Sequence, residues 1–110
     1  MTVIENTTAT VAFEVTLDGV PYDLSGASEI EVSLKQDVPE LVLTKKLSAS
    51  GVTISGDGNN IAAGIFSPSE TLQFVPGYGK AQIRVKNGDT VLGDVAEVVR
   101  IAAANSTEVL

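Results

Sequence analysis

The chain of 110 residues contains no cysteine, no histidine and no tryptophan. Without cysteine there is no disulfide framework and no thiolate nucleophile, so the sequence does not indicate whether the protein works in an oxidising or a reducing compartment. Without histidine the commonest general base near neutral pH and the commonest metal ligand are both missing. An enzyme of this composition would have to use carboxylates, Lys, Ser or Tyr. We therefore predict a protein that is not an enzyme and that needs no cofactor and no metal.

Aromatic residues are also scarce, with three Phe and two Tyr in the whole chain. A core must then be built mainly from Val, Ile, Leu and Ala, which the 44% hydrophobic content allows. Sugar-binding modules usually stack their ligands on exposed aromatic rings. Tyr22 and Tyr78, both near predicted turns, are the candidates here for contact with a glycan or a protein partner.

The first third of the chain lacks basic residues. Residues 1–34 carry six acids and no base, for a charge of −6, whereas residues 35–110 carry eight acids and seven bases, for −1. Such an acidic segment argues against nucleic-acid binding, which needs clustered Lys and Arg. It is either a solvated acidic face or a negative docking surface for a basic partner, with Glu14, Glu29 and Glu31 as its outward candidates.

Long apolar runs and a basic amino-terminal segment are missing as well. No stretch approaches the roughly 18 apolar residues of a membrane span, and the segment MTVIENTTATVAFEV has no secretory signal pattern. We predict no membrane insertion and no signal peptide.

Alternation of apolar and polar residues is the main pattern that is present. From Thr8 to Leu17 every second residue is apolar, and the same period recurs in Glu29–Gln36, in Asn60–Phe66 and from Ala81 onwards. This period is typical of half-buried strands. Asp18-Gly19 and Asn87-Gly88 are turn dipeptides, the second predicted as a type I′ turn. Shorter strands are expected at Leu41–Leu47 and around Val52 and Ile54.

Two strands have an ambiguous inward face. In LVLTKKL the core side is either Leu41 with Leu43 or Val42. In the strand after Asn87-Gly88 the inward set begins at either Val91 or Leu92, and a bulge near Gly93 would reconcile the two.

Seven to eight short strands, with turn signals every eight to twelve residues, predict an all-β fold. We expect an antiparallel immunoglobulin-like β-sandwich with one short helical turn. The predicted divisions are an N-terminal arm at 1–7, the sandwich domain at 8–102 and a C-terminal tail at 103–110.

Three stretches resemble sites of chemistry but have simpler explanations. Asp57-Gly58-Asn59-Asn60 offers oxygen ligands, but the loop lacks the further ligands of an EF-hand, and turn chemistry explains it. Glu29 and Glu31 are expected about 6.5–7 Å apart on one strand face, a spacing compatible with an acid–base pair, but neither has the burial that raises a pKa, so a solvated outer face is the favoured interpretation. Asn6-Thr7-Thr8 and Asn105-Ser106-Thr107 match the glycosylation sequon, which means little without a signal peptide.

The segment SPSETLQFVPGYG, Ser67 to Gly79, interrupts the alternation. Ser67 suits an N-cap, Pro68 the first helical position, and Glu70 completes a capping box. The segment therefore predicts one helical turn, with Leu72 and Phe74 towards the core, followed by a turn at Pro76-Gly77 that links two sheets. Neither Ser67 nor Ser69 has a base beside it in the sequence, so a catalytic serine is not favoured.

The order of these features resembles small immunoglobulin-like domains of tailed-bacteriophage virion proteins, such as baseplate upper proteins. DLSGASEIEVSLK, Asp23 to Lys35, is similar to the opening of such domains, and NIAAGIFSPSETLQFVPGYGKAQIRVKNGDTVLGD to their second half. The match covers roughly residues 8–102. The chain departs from the family at Gly79-Lys80-Ala81-Gln82-Ile83, where members commonly carry aromatic residues.

The resemblance implies a structural or adhesion module of a phage or prophage particle, located in the virion after synthesis in the host cytoplasm. Its partners would be other virion proteins of the tail, baseplate or capsid, in a homo- or hetero-oligomer. A carbohydrate-binding or cell-surface adhesion module, with a host-surface glycan as ligand, is the alternative.

Overall fold

The computed structural model describes residues 1–93 and 97–104. Within these residues the protein is all-β, with eleven strands, one turn of α-helix and one 3₁₀ turn. The strands are β1 (Thr2–Ile4), β2 (Ala9–Glu14), β3 (Thr16–Leu17), β4 (Val20–Pro21), β5 (Glu29–Gln36), β6 (Leu41–Lys46), β7 (Val52–Ser55), β8 (Ile61–Phe66), β9 (Gly77–Asn87), β10 (Thr90–Gly93) and β11 (Glu97–Ala102). The helix α1 is Pro68–Thr71, and the 3₁₀ turn is Leu47–Ala49.

The larger sheet has the order β1-β11-β9-β5-β6, and β10 also pairs with β9. Its pairs are antiparallel except for β1, which runs parallel to β11. The prediction of a purely antiparallel fold of seven to eight strands is therefore wrong in this respect. It missed β1 because three residues are too few for an alternation signal. The structure places part of the predicted N-terminal arm in the sheet, since Val3 is buried beside Ile101.

The smaller sheet has the order β2-β8-β7, and a separate hairpin pairs β3 with β4. The single strand predicted from Thr8 to Leu17 is divided at Val15, because this residue leaves the sheet. Its N–H donates to Asn60 O at 2.8 Å, and its carbonyl accepts from Tyr22 N–H. Leu17 is consequently exposed on the hairpin rather than buried.

The two sheets enclose one core formed by alternate residues of their facing sides. Ile30, Val32 and Leu34 contribute from β5, and Ala81, Ile83 and Val85 from β9. The smaller sheet approaches closely at Gly64, where an added Cβ would lie 3.2 Å from Val32 Cβ. Each fully buried aliphatic or Phe side chain stabilises the fold by about 1.5–3 kcal/mol. Leu24 belongs to this core with no exposed surface, although it lies in the connection before β5.

The helical turn predicted after Ser67 is confirmed, together with its capping box. Ser67 Oγ accepts from Glu70 N–H, and Ser67 N–H donates to the Glu70 carboxylate at 2.8 Å. The turn carries the chain from β8 in the smaller sheet to β9 in the larger one. Phe74 is buried as predicted, whereas Leu72 is half-buried and Thr71 takes the inner position.

The sheet resolves the first of the two ambiguous strands. Leu41 and Leu43 pack against the core, and Val42 points outward. The return strand forms β10 and β11, whose buried residues are Val99 and Ile101. Gly93 pairs with Arg84, and Glu97 pairs with Ala81. The bulge predicted near Gly93 falls at residues 94–96, outside the described residues.

The two turn dipeptides behave differently. Asp18 and Gly19 both have positive φ, at 52° and 78°, as a type I′ turn requires. In the second hairpin Asn87 pairs with Thr90, so the central residues are Gly88 and Asp89, and of these only Gly88 has positive φ. This arrangement is typical of a type II′ turn, and the predicted type I′ turn at Asn87-Gly88 is wrong by one residue.

Candidate functional site

The side of the larger sheet that faces away from the core, here called the outer face, collects most of the basic residues. Residues directly opposite in neighbouring strands project to the same side. Six of the seven bases in the chain lie on this face: Lys35, Lys46, Lys80, Arg84, Lys86 and Arg100. With Glu29 and Glu31 as the acids among the described side chains there, the face carries 6 − 2 = +4, although the chain as a whole carries −7.

The two acids of the outer face are bound to neighbours. Glu31 Oε1 accepts from Arg84 Nη2 at 2.7 Å and from Arg84 Nε at 3.0 Å. Glu29 accepts from the Ser48 hydroxyl and from Ser48 N–H, and these hydrogen bonds lower the pKa of its carboxyl. A general acid would need a raised pKa, so Glu29 acts here as a structural acceptor, and Glu31 accepts both hydrogen bonds from Arg84.

The predicted acidic docking face is not assembled by the fold. Glu29 and Glu31 share the outer face as expected, but Glu14 is exposed at the end of β2 in the other sheet. The three acids therefore do not form one surface. Because bases from β6 and β9 surround Glu29 and Glu31, the face around them is positive rather than negative.

Along the strands the outer face divides into two halves of different charge balance. In one half, Lys86 lies opposite Glu29 and Arg84 opposite Glu31. In the other half, Lys35 on β5 lies directly opposite Lys80 on β9, and Lys80 lies directly opposite Val98 on β11. Arg100 follows on β11, two residues after Val98. Like charges directly opposite each other destabilise a sheet, so this second half keeps an arrangement that stability alone would not favour.

We call this second half the basic patch and define it by three bases and three exposed apolar residues: Lys35, Lys80, Arg100, Val42, Tyr78 and Val98. Lys35 Nζ lies 3.5 Å from Asp37, and both side chains are largely exposed. Lys80 and Arg100 make no side-chain hydrogen bond or ion pair with the residues that the structure describes. Tyr78 is 73% exposed and Val98 60% exposed. Charge and apolar surface are thus presented together.

A shallow groove of about 480 Å³ lies next to the basic patch. Its middle row is Ser33, Thr44 and Gln82, which are directly opposite one another on β5, β6 and β9. On one side of this row stand Lys35, Lys80 and Val42, and on the other the Glu31–Arg84 pair. Short polar side chains therefore form the floor, and long charged ones form two of the walls.

The two tyrosines named from the sequence lie far apart. Tyr22 packs against the core, and its hydroxyl accepts from Asn87 Nδ2 at 3.2 Å, at one end of β9. Tyr78 lies at the other end of the same strand, nine residues away, which corresponds to about 30 Å at the usual rise of a strand. They cannot stack on the same sugar unit.

The remaining candidates have structural roles. Asn59 has positive φ and closes the turn before β8, as turn chemistry predicts. Among residues 1–93 and 97–104, no group of three or more acidic, His or Cys side chains could hold a metal ion. Ser67 Oγ is engaged in the helix cap. Of the sequons, Asn6 is buried, and Asn105 lies outside the described residues.

No protein-family model matches this chain, and no curated protein matches it. In the described part of the chain, no helix is long and apolar enough to cross a membrane.

Reasoning from the sequence missed the basic patch. Lys35 and Lys80 are 45 residues apart, and only the register of β5 against β9 brings them together. A weak signal existed in KAQIRVK, where alternate positions Lys80, Arg84 and Lys86 are basic. That signal shows a basic strand face but not its neighbours.

Proposed function

We propose that this protein is a structural or adhesion module of a bacteriophage or prophage particle, without enzymatic activity, which acts by docking onto other virion proteins. The resemblance of Asp23–Lys35 and of the second half of the chain to phage immunoglobulin-like domains supports this proposal. The capped turn at Ser67, which that resemblance includes, is present between the two sheets.

The strand order supports an immunoglobulin-like sandwich. In that fold the second, fifth and fourth strands, B, E and D, share one sheet, and C, F and G share the other. Here β2, β8 and β7 are neighbours in one sheet, while β5, β9 and β11 are neighbours in the other. Strand β6 extends the second sheet beside β5, as the C′ strand does in variable-type domains. The disulfide and the Trp of antibody domains have no counterpart, because the chain contains neither residue type.

The observation that carries the docking role is the basic patch. A face that served only solubility would expose charged residues of both signs and few apolar ones. The patch instead places Tyr78, Val98 and Val42 among Lys35, Lys80 and Arg100. Protein interfaces are enriched in Tyr and Arg and depleted of Lys, so Tyr78 and Arg100 are the patch residues that carry this argument.

A glycan-binding role is the second candidate, and the groove with its floor of Ser33, Thr44 and Gln82 is the feature that favours it. It has less support, because the two tyrosines are about 30 Å apart along β9. A glycan array probed with the purified protein tests it, and binding that depends on Gln82 would favour it over docking.

The proposed function is tested by mass spectrometry of phage particles purified from induced cells that carry the gene. We expect the protein in intact particles after density-gradient purification, at a constant ratio to the major tail or capsid protein. Its absence from such particles, with free protein present in the same lysate, would refute the proposal.

A further inference from the structure

The molecule has an acidic end as well as a basic patch. The loops after β2, between β7 and β8 and between β9 and β10 meet at this end. Leu24 N–H donates to Asn59 O at 2.8 Å, and Asn87 Nδ2 donates to the Tyr22 hydroxyl. The exposed acids that these loops bring together, here called the acidic end, are Glu14, Asp18, Asp23, Asp57 and Asp89.

The acidic end and the basic patch are separated along the molecule. Lys80 lies seven residues before Asn87 on β9, which corresponds to about 23 Å at the usual rise of a strand. The bases nearer the acidic end, Arg84 and Lys86, lie opposite Glu31 and Glu29. The half of the outer face that lacks Glu29 and Glu31 is therefore distant from the acidic end, and the acid beside it is Asp37, which pairs with Lys35.

We propose that the basic patch binds the acidic end of a second copy of this chain. This inference deepens the proposed docking function by naming a partner, and it rests on that function only for its biological setting. Charge complementarity carries it: three bases, of which Lys35 pairs with Asp37, would meet a surface of five acids. Carboxylates of a second copy next to Lys35 and Lys80 would attract both lysines and offset the repulsion between them.

Contact between different surfaces of two copies is heterologous, so each added copy exposes a new basic patch or a new acidic end. Such contacts build rings when the rotation closes and open chains when it does not. The exposed Tyr78, Val98 and Val42 would supply apolar area at the centre of the contact.

The contact that this geometry allows is small. The cross-section of the molecule is 26 × 23 Å, about 600 Å². An end-on contact therefore buries at most about 1,200 Å² in total, the lower limit of specific interfaces. We expect weak, concentration-dependent association that high salt weakens, because the Debye length falls to about 3–4 Å near 1 M salt.

Sedimentation velocity of the purified full chain over a concentration series, at low and at high salt, tests the proposal. We expect reversible growth of the weight-average mass with concentration at low salt. A patch variant, Lys80→Glu with Arg100→Glu, should lower the association constant on the order of tenfold or more. The matched control is Lys46→Glu with Lys86→Glu, which makes the same change in net charge on the other half of the same face and should associate like the wild type.

A mixing experiment tests the head-to-tail geometry. An end variant, Asp57→Lys with Asp89→Lys, keeps its patch but loses acids at the other surface. Each variant alone should remain monomeric, and their mixture should stop at a heterodimer, since each variant retains one intact surface. Circular dichroism and urea unfolding establish that all variants are folded.

Three results would overturn the proposal. The first is a wild type that stays monomeric at every concentration in low salt. The second is a patch variant that associates like its control. The third is a monomer whose patch binds a poly-glutamate peptide or a short DNA duplex, which would assign the patch to a foreign acidic protein or to a nucleic acid. None of these results would remove the protein from phage particles, so the proposed function would fail only by its own test.

Discussion

Glu70 joins three parts of the fold, so its replacement is a sensitive test of the packing described above. Its carboxylate accepts from Ser67 N–H at 2.8 Å, and Lys45 Nζ lies 2.8 Å from both of its oxygens. The Lys45 side chain is 23% exposed and its Nζ lies 5.4 Å from the centre of the Phe66 ring. One side chain thereby connects the helical turn, strand β6 and the core.

The expected loss follows from these contacts. Glu70→Ala removes a hydrogen bond of about 1 kcal/mol to the cap. It also removes the ion pair with Lys45, at a cost of about 1 kcal/mol, the upper end of the range for exposed pairs, because both side chains are only partly exposed. We expect Glu70→Ala to lower the free energy of unfolding by about 2 kcal/mol. Glu70→Gln should lower it by about 1 kcal/mol, because the amide oxygen still accepts from Ser67 N–H.

Urea unfolding followed by circular dichroism measures this loss. A change of about 2 kcal/mol shifts the midpoint by about 1 M at an unchanged slope. The control is Glu40→Ala, at an exposed turn position, which should change the free energy of unfolding by less than about 0.5 kcal/mol. A Glu70→Ala midpoint equal to that of Glu40→Ala would refute this account of the turn.

Three further predictions concern acid stability, backbone contact and the core. The ion pair with Lys45 lowers the pKa of Glu70 from its usual value of 4.5, so its contribution is complete above that pH and is lost as pH falls through the lowered pKa. The stability difference between wild type and Glu70→Gln should shrink below about pH 4.5, and a difference that stays constant down to pH 2 would contradict the pairing. Gly79→Ala should destabilise the fold by about 2–3 kcal/mol, because the added Cβ would lie 2.6 Å from the Lys35 carbonyl oxygen. Gly26→Ala is the control: its added Cβ would have no atom within 4 Å, so thermal unfolding should be nearly unchanged. Leu24→Ala should cost about 2–5 kcal/mol in urea unfolding, since Leu24 is fully buried, and a loss below 1 kcal/mol would show that Leu24 is not part of the core.

Local patterns in the sequence predicted those elements that local physics determines. Alternation predicted the strands around Ile30, Ile83 and Ala62, and the spacing of Ser67 and Glu70 predicted the capped turn. In these elements each residue's role follows from neighbours within four positions, so the chain itself contains the information.

Features that depend on contacts between distant segments could not be predicted. Leu24 is one apolar residue among polar neighbours, and only the enclosing sheets show that it is buried. Strand β1 joins β11 across almost the full length of the chain, which no local period indicates.

The charges around Glu29 and Glu31 could not be predicted for the same reason. Counting charges along residues 1–34 indicated an acidic surface, but Glu29 and Glu31 are placed among bases from β6 and β9. A surface is a two-dimensional arrangement, and the register between strands, rather than order along the chain, decides which charges are neighbours.

The proposed docking onto other virion proteins through the basic patch can be measured by lysine acetylation of intact particles and of free protein, read out by mass spectrometry. We expect Lys35 and Lys80 to react in the free protein and to be protected in particles. Lys46 and Lys86, on the other half of the same face, should react in both. Equal reactivity of Lys80 in free protein and in particles, with Lys46 and Lys86 unchanged, would contradict it.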